Sequence, residues 1–167
     1  MLRFTPKFMS RDQSQDGSKQ VGVVYNGLVY TSTDDGKDWT PRHTPGSRTW
    51  KCVSSSATGG VFVAMAEDSA IWTSSDFGQS WTARTFHGSC QWKFMDISSN
   101  GDFIVAAANP GSIYVSSDSG KSWAESVSGI YGKSWNYLSC RTVDCKEILA
   151  GAGNQYLRSQ DWGKTWS

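Results

Sequence analysis

An excess of charge of either sign is missing from this chain: 16 basic and 15 acidic residues leave a formal net charge of +1 over 167 residues. A basic face that would follow a phosphate backbone is therefore not expected, which sets nucleic acid aside as a partner. No apolar run approaches the roughly 20 residues that cross a bilayer, so the chain is not expected to span a membrane. The opening Met1-Leu2-Arg3-Phe4-Thr5-Pro6 lacks the apolar stretch of a secretory signal peptide. The compartment stays unassigned, with a cytoplasmic chain, part of a longer precursor, and a mature extracellular or organelle-lumen form all open. Sustained helical periodicity is also lacking, which leaves strands to build the fold.

Cysteine is sparse. Cys52, Cys90, Cys140 and Cys145 form neither a CxxC pair nor a zinc-ligand pattern. Cys140 and Cys145 flank Arg141-Thr142-Val143-Asp144 and either join across that hairpin in an oxidising compartment or stay reduced, as partly buried thiols, like the other two. No metal or cofactor site is expected.

What the chain has is tryptophan, nine residues of it, in a recurring Ser-x-Asp-x-Gly-x-x-Trp signature. The four copies carry Ser32, Asp34, Gly36 and Trp39; Ser74, Asp76, Gly78 and Trp81; Ser116, Asp118, Gly120 and Trp123; and Ser159, Asp161, Gly163 and Trp166. Their serines recur at intervals of 42, 42 and 43 residues. A period of about 40–50 residues built from short strands points to a propeller. Trp50, Trp92 and Trp135 each stand 24 residues before the next serine and open an inner strand. Pro6-Lys7-Phe8-Met9-Ser10 fits the same template with a loop two residues longer. Second strands such as Val61-Phe62-Val63-Ala64-Met65-Ala66 are apolar on both faces, as expected of sheets sandwiched between sheets. The fold expected is all-β: one propeller domain over 1–167, with four-stranded antiparallel blades near 6–45, 50–88, 92–131 and 135–167. A compact four-bladed ring, with Met1 to Phe4 supplying its last strand, is favoured over part of a larger propeller.

The signature resembles the Asp-box, or BNR repeat, of sialidases, other glycoside hydrolases, Vps10-type sorting receptors and photosystem II assembly factors. That resemblance implies that each box is a structural hairpin between the third and fourth strands, on the rim away from the usual active face. The residue types suit this role. Asp in a tight turn accepts backbone N–H groups, Gly permits positive φ, and Trp covers the hairpin. Each box lacks the alternating ligands and terminal Glu of an EF-hand loop.

Candidate binding residues lie outside the boxes. Lys7, Lys51 and Lys93 align on the inner strand and would make an anion-favouring ring if they converged; otherwise their stems pack and their ammonium groups stay in solvent. Asp96 stands where other repeats have serine, and would pair with a neighbouring lysine. Tyr131 and Trp162, read as having no aromatic equivalents, are the surface candidates for a protein hot spot or sugar stacking. The three aligned tryptophans are expected between blades. No catalytic residue is nominated. Sialidase resemblance would call for an arginine triad, yet the arginines are read as sharing no repeat position, and no glycosidase-type pair of acids about 5–10 Å apart is evident. His43 and His87 sit at unmatched positions, so a Ser-His-Asp arrangement is unsupported. The leading expectation is a non-catalytic scaffold that binds a protein partner within a larger assembly; the alternative is glycan binding or a sialidase-like glycoside hydrolase.

Overall fold

The computed structural model describes residues 6–67, 71–84, 91–126 and 132–167. In chain order the strands are β1 (Ser10–Gln13), β2 (Gln20–Val23), β3 (Tyr25–Gly27), β4 (Val29–Ser32), β5 (Thr40–Arg42), β6 (Arg48–Ser55), β7 (Phe62–Ala66), β8 (Ile71–Ser74) and β9 (Thr82–Arg84). They continue as β10 (Trp92–Ile97), β11 (Ile104–Ala108), β12 (Ile113–Ser116), β13 (Ala124–Glu125), β14 (Trp135–Cys140), β15 (Ile148–Ala152) and β16 (Gln155–Ser159). Antiparallel pairing groups them as β1-β2-β4-β5, β3-β6-β7-β8-β9, β10-β11-β12-β13 and β14-β15-β16, one sheet per repeat, with β3 of the first repeat added to the second repeat's sheet. These four sheets are the expected propeller blades.

The second strand of each blade explains how the blades stack. Side chains alternate across a strand, and β7 is buried along its whole length. Phe62, Ala64 and Ala66 join Val21, Val23, Val29 and Trp50 in a core between the first and second blades. Val63 and Met65, on the opposite face, join Trp92, Met95, Ile104 and Ala106 between the second and third. Val105 and Ala107 turn the other way, against Trp135, Leu138, Ile148 and Ala150 of the fourth. Four blades thus share three cores among the described residues, and no core joins the fourth blade to the first. The sheets follow one another in chain order, each packed on the next, among the described residues. The proposed closing strand, Met1 to Phe4, lies outside the described residues.

The aligned tryptophans clasp successive blades. Trp50 Nε1 donates to the Gly27 carbonyl at 2.9 Å, and Trp135 Nε1 to that of Gly111 at 3.0 Å. Both indoles are fully buried. β3 strengthens the first clasp by pairing with the start of β6.

Pairing corrects the register of the first repeat. Asp12 faces Val21, as Ser54 faces Val63 and Asp96 faces Val105. Asp12, not Ser10, is therefore the counterpart of Asp96, and Met9 rather than Lys7 stands at the position of Lys51 and Lys93. No longer loop exists. The sequence alignment went astray because the repeat's inner-strand tryptophan is replaced here by Phe8.

Candidate functional site

All four Asp-boxes fold alike. Serine Oγ donates to aspartate Oδ1 at 2.7–2.8 Å. The glycine amide donates to that serine Oγ at 2.8–3.0 Å. The amide four residues after the aspartate donates to Oδ1 at 2.8–3.0 Å. Tryptophan Nε1 closes the loop on the glycine carbonyl at 3.0–3.2 Å. These donors stabilise the ionised carboxylates. The Thr165 hydroxyl and amide take Asp161 down to about 2. At Asp118 slight burial pushes upward, but the Ser122 and Ser116 donors outweigh it and the group also falls to about 2. Carboxylates held this way accept hydrogen bonds and do not shuttle protons near neutrality.

The boxes also seal the seams between blades. A Cβ added to Gly78 would meet Thr31 Cγ2 at 2.5 Å, and one on Gly120 would meet Thr73 Cγ2 at 2.7 Å, each on the preceding blade.

The inner-strand lysines do not converge as a ring of free cations. Lys51 Nζ lies 3.3 Å from the Glu67 carboxylate. Lys93 Nζ donates to the Trp135 carbonyl at 3.2 Å, and Asn136 Nδ2 donates to the Gly153 carbonyl at 2.9 Å. Lys7, exposed, is out of register with them.

Asp96 pairs with backbone rather than with a lysine. Its Oδ1 accepts the Ile97 amide at 2.8 Å, and its Oδ2 accepts the Cys140 amide of the next blade at 2.8 Å. Asp12 repeats the arrangement, with the Gln13 amide at 2.8 Å and the Ser55 amide of the next blade at 2.9 Å. Both are blade-to-blade clips. Burial pushes Asp12 above the ordinary carboxylate range against those hydrogen bonds, and the charge of Asp96 adds to the rise. Burial likewise pushes the Cys52 thiol, on the intervening inner strand, up to about 12, again with a contribution from Asp96. Cys140 and Cys145 are joined as a disulfide that ties off the β14–β15 loop.

On the rim, Trp162 is exposed with Lys146 and Lys164 Nζ at 5.4 and 6.0 Å from its ring centre. It does have an aromatic equivalent: Phe77 fills the same box position, with the same left-handed backbone (φ 59° at both). Arg42 and Arg84 likewise share a repeat position, opposite Val29 and Ile71. Tyr131 lies outside the described residues. The feature missed in the sequence is a cleft of about 710 Å³ between the third and fourth blades, walled by β13 and the fourth box. Among the described residues no group of three or more His, Cys, Asp or Glu side chains could hold a metal ion.

The BNR-Asp box repeat family matches residues 71–83, the second blade's third strand, its box and the start of its fourth strand. No curated protein matches the chain. Among solved structures it is similar to a GH74 enzyme from Niastella koreensis, at 19% identity and a TM-score of 0.75, over 95% of this chain and 23% of that one. It is also similar to YCF48 bound to D1 peptide, at 20% identity and a TM-score of 0.72, over 98% of this chain and 56% of that one. YCF48 from Cyanidioschyzon merolae gives 18% identity and a TM-score of 0.69, over 96% and 55%. The chain thus spans from about a quarter to just over half of these structures, and the likeness is one of fold: an Asp-box β-propeller.

Proposed function

We propose that this chain is a non-catalytic binding or scaffold unit, a protein-interaction part of a larger assembly. The observation that carries the reading is the fate of the inner-strand carboxylates: both oxygens of Asp12 and of Asp96 accept backbone amides, one from the following residue of the same strand and the other from the next blade. A general acid or nucleophile needs an oxygen free to meet substrate. The likeness to a propeller bound to a peptide, over 98% of this chain, supports the same reading.

The glycan-binding or glycoside-hydrolase reading has one observation in its favour. Asp12 is raised and feels Asp96, so two inner-strand carboxyls lie within electrostatic reach of each other, and a GH74 enzyme is among the similar folds. Two assays separate the readings. Affinity capture from the native source, repeated with the captured protein tagged in turn, should return the same partner. Hydrolysis of xyloglucan oligosaccharides and fluorogenic sialosides should be absent. Turnover that vanished in folded Asp12→Asn or Asp96→Asn variants would overturn the scaffold reading.

A further inference from the structure

The repeat breaks at one seam, and the break opens a cleft. In the first two blades an outer-strand arginine folds over a threonine of the third strand: Arg42 Nε donates to Thr31 Oγ1 at 2.8 Å and Arg84 Nε to Thr73 Oγ1 at 2.9 Å. One period on, those positions hold Val115 and Ser126. The seam that Arg84 fills, against Ser119 and Lys121 of the third box, leaves only about 50 Å³. The equivalent seam against the fourth box opens to about 710 Å³, within the 300–1,000 Å³ typical of ligand sites. Ser126 fastens this seam without filling it: it is buried, donates to the Gly163 carbonyl and accepts Trp166 Nε1 at 2.7 Å.

The lining has a definite chemistry. Phe103, Val115, Trp123 and Trp162 supply apolar surface, while Asp102, Glu125 and Asp144 set three carboxylates against the single ammonium of Lys164. Their hydrogen bonds come from neutral groups, Asn100 Nδ2 on Asp102 at 2.8 Å, the Lys146 amide on Asp144 at 3.0 Å, and the Ser112 hydroxyl on Glu125, while the Lys146 ammonium also acts on Asp144 through its charge. Among the described residues no cation forms an ion pair with any of the three. Two lysines already lie near the Trp162 ring, which competes with the stacking a sugar ring would need.

We propose that this cleft binds a short peptide segment of a protein partner, with an apolar side chain on its floor and a Lys or Arg against Asp102, Glu125 and Asp144; the proposal rests on the protein-interaction reading above. Apolar burial would supply affinity, and the surplus of carboxylates would supply preference for the cation.

The internal repeat supplies its own test. Val115→Thr with Ser126→Arg restores the pair found in the first two blades and should fill the cleft. Phage-displayed random heptapeptides selected on the wild-type chain should be enriched in Lys or Arg beside Leu, Ile or Phe. A labelled peptide of the enriched sequence should bind the filled variant at least tenfold more weakly by fluorescence polarisation. Should that variant fail to fold by circular dichroism, Asp102→Asn with Asp144→Asn, both on exposed side chains, should weaken the same peptide and flatten its salt dependence. Enrichment of acidic peptides, no enrichment at all, or equal binding by folded variants would overturn the proposal. A native partner that still binds the filled variant would sink the cleft while leaving the interaction reading standing; loss of every native partner from the wild-type chain would sink that reading itself.

Discussion

Replacing Gly120 with alanine measures what an Asp-box contributes to a seam between blades. Gly120 has φ +82°, and an added Cβ would lie 2.7 Å from Thr73 Cγ2 on the preceding blade and 3.3 Å from Ile104 Cδ1. Gly153, in the β15–β16 hairpin, is the control: its φ is +60°, and nothing stands within 4 Å of its added Cβ. Both variants carry the left-handed backbone cost of an L side chain, about 1–2 kcal/mol. Only Gly120→Ala adds overpacking, typically about 1–3 kcal/mol, because Thr73 is β-branched and buried and has little room to yield. The sum is about 2–5 kcal/mol for Gly120→Ala against about 1–2 for Gly153→Ala. For a chain of this length each 1 kcal/mol moves Tm by roughly 2–4 °C, so the two variants should separate by several degrees in thermal melts and in urea midpoints. Equal losses would show that the boxes fasten only their own hairpins, and would refute the seam argument.

Three further outcomes follow from groups already described. Asp118 and Asp161 sit at about 2 in the fold, against about 3.9 in an unfolded chain. Their lowered values contribute stability that is fully present above pH about 4 and is lost as pH falls toward 2; thermal melts across that window should show Tm falling, less steeply in Asp118→Asn. Cys52, half-buried with its thiol pushed up to about 12 by burial, should resist iodoacetamide at pH 8 in the native protein and react on unfolding, as read by peptide mass spectrometry; rapid native labelling would contradict the raised thiol. The Cys140–Cys145 bridge closes a short loop, and chain-entropy estimates give such a closure about 2 kcal/mol. The double serine variant should lose about that much in urea melts, and an unchanged midpoint would show that the bridge does not constrain the unfolded chain.

The boxes and the blade count were legible in the sequence because their chemistry is local. Every hydrogen bond of a box spans at most four residues, so residue type and spacing suffice. The first inner strand was not legible by type alone: with Phe8 at the tryptophan position, only the pairing of Asp12 with Val21 fixes the register. The lysine ring failed for the same reason, compounded by ion pairing and hydrogen bonding that draw Lys51 and Lys93 toward neighbouring groups. The cleft, by contrast, left a readable signal. Arg42, Arg84 and Ser126 stand one period apart, as do Thr31, Thr73 and Val115. Those contrasts sit outside the signature, in positions that carry meaning only once the third and fourth strands are known to face the next blade's box.

The stacking of the blades also decides where recognition chemistry is available. A closed ring has a central channel that gathers equivalent side chains from every blade, which is what the lysine reading required. With three cores for four blades, the two end sheets instead have faces with no blade against them among the described residues, and aromatic side chains cover part of that surface. Phe8 packs over Gly22, with its ring 4.4 Å from that of Trp39; Tyr137 and Tyr156 flank Gly151 at the other end. The glycines leave room for those rings to approach the sheet. Along the inner strands the carboxylates clip blade to blade, and along the rim the first two blades plug their own seams with arginine. The third seam breaks that pattern, exchanging a plug for a serine fastener, so its cleft of about 710 Å³ arises where the repeat departs from itself.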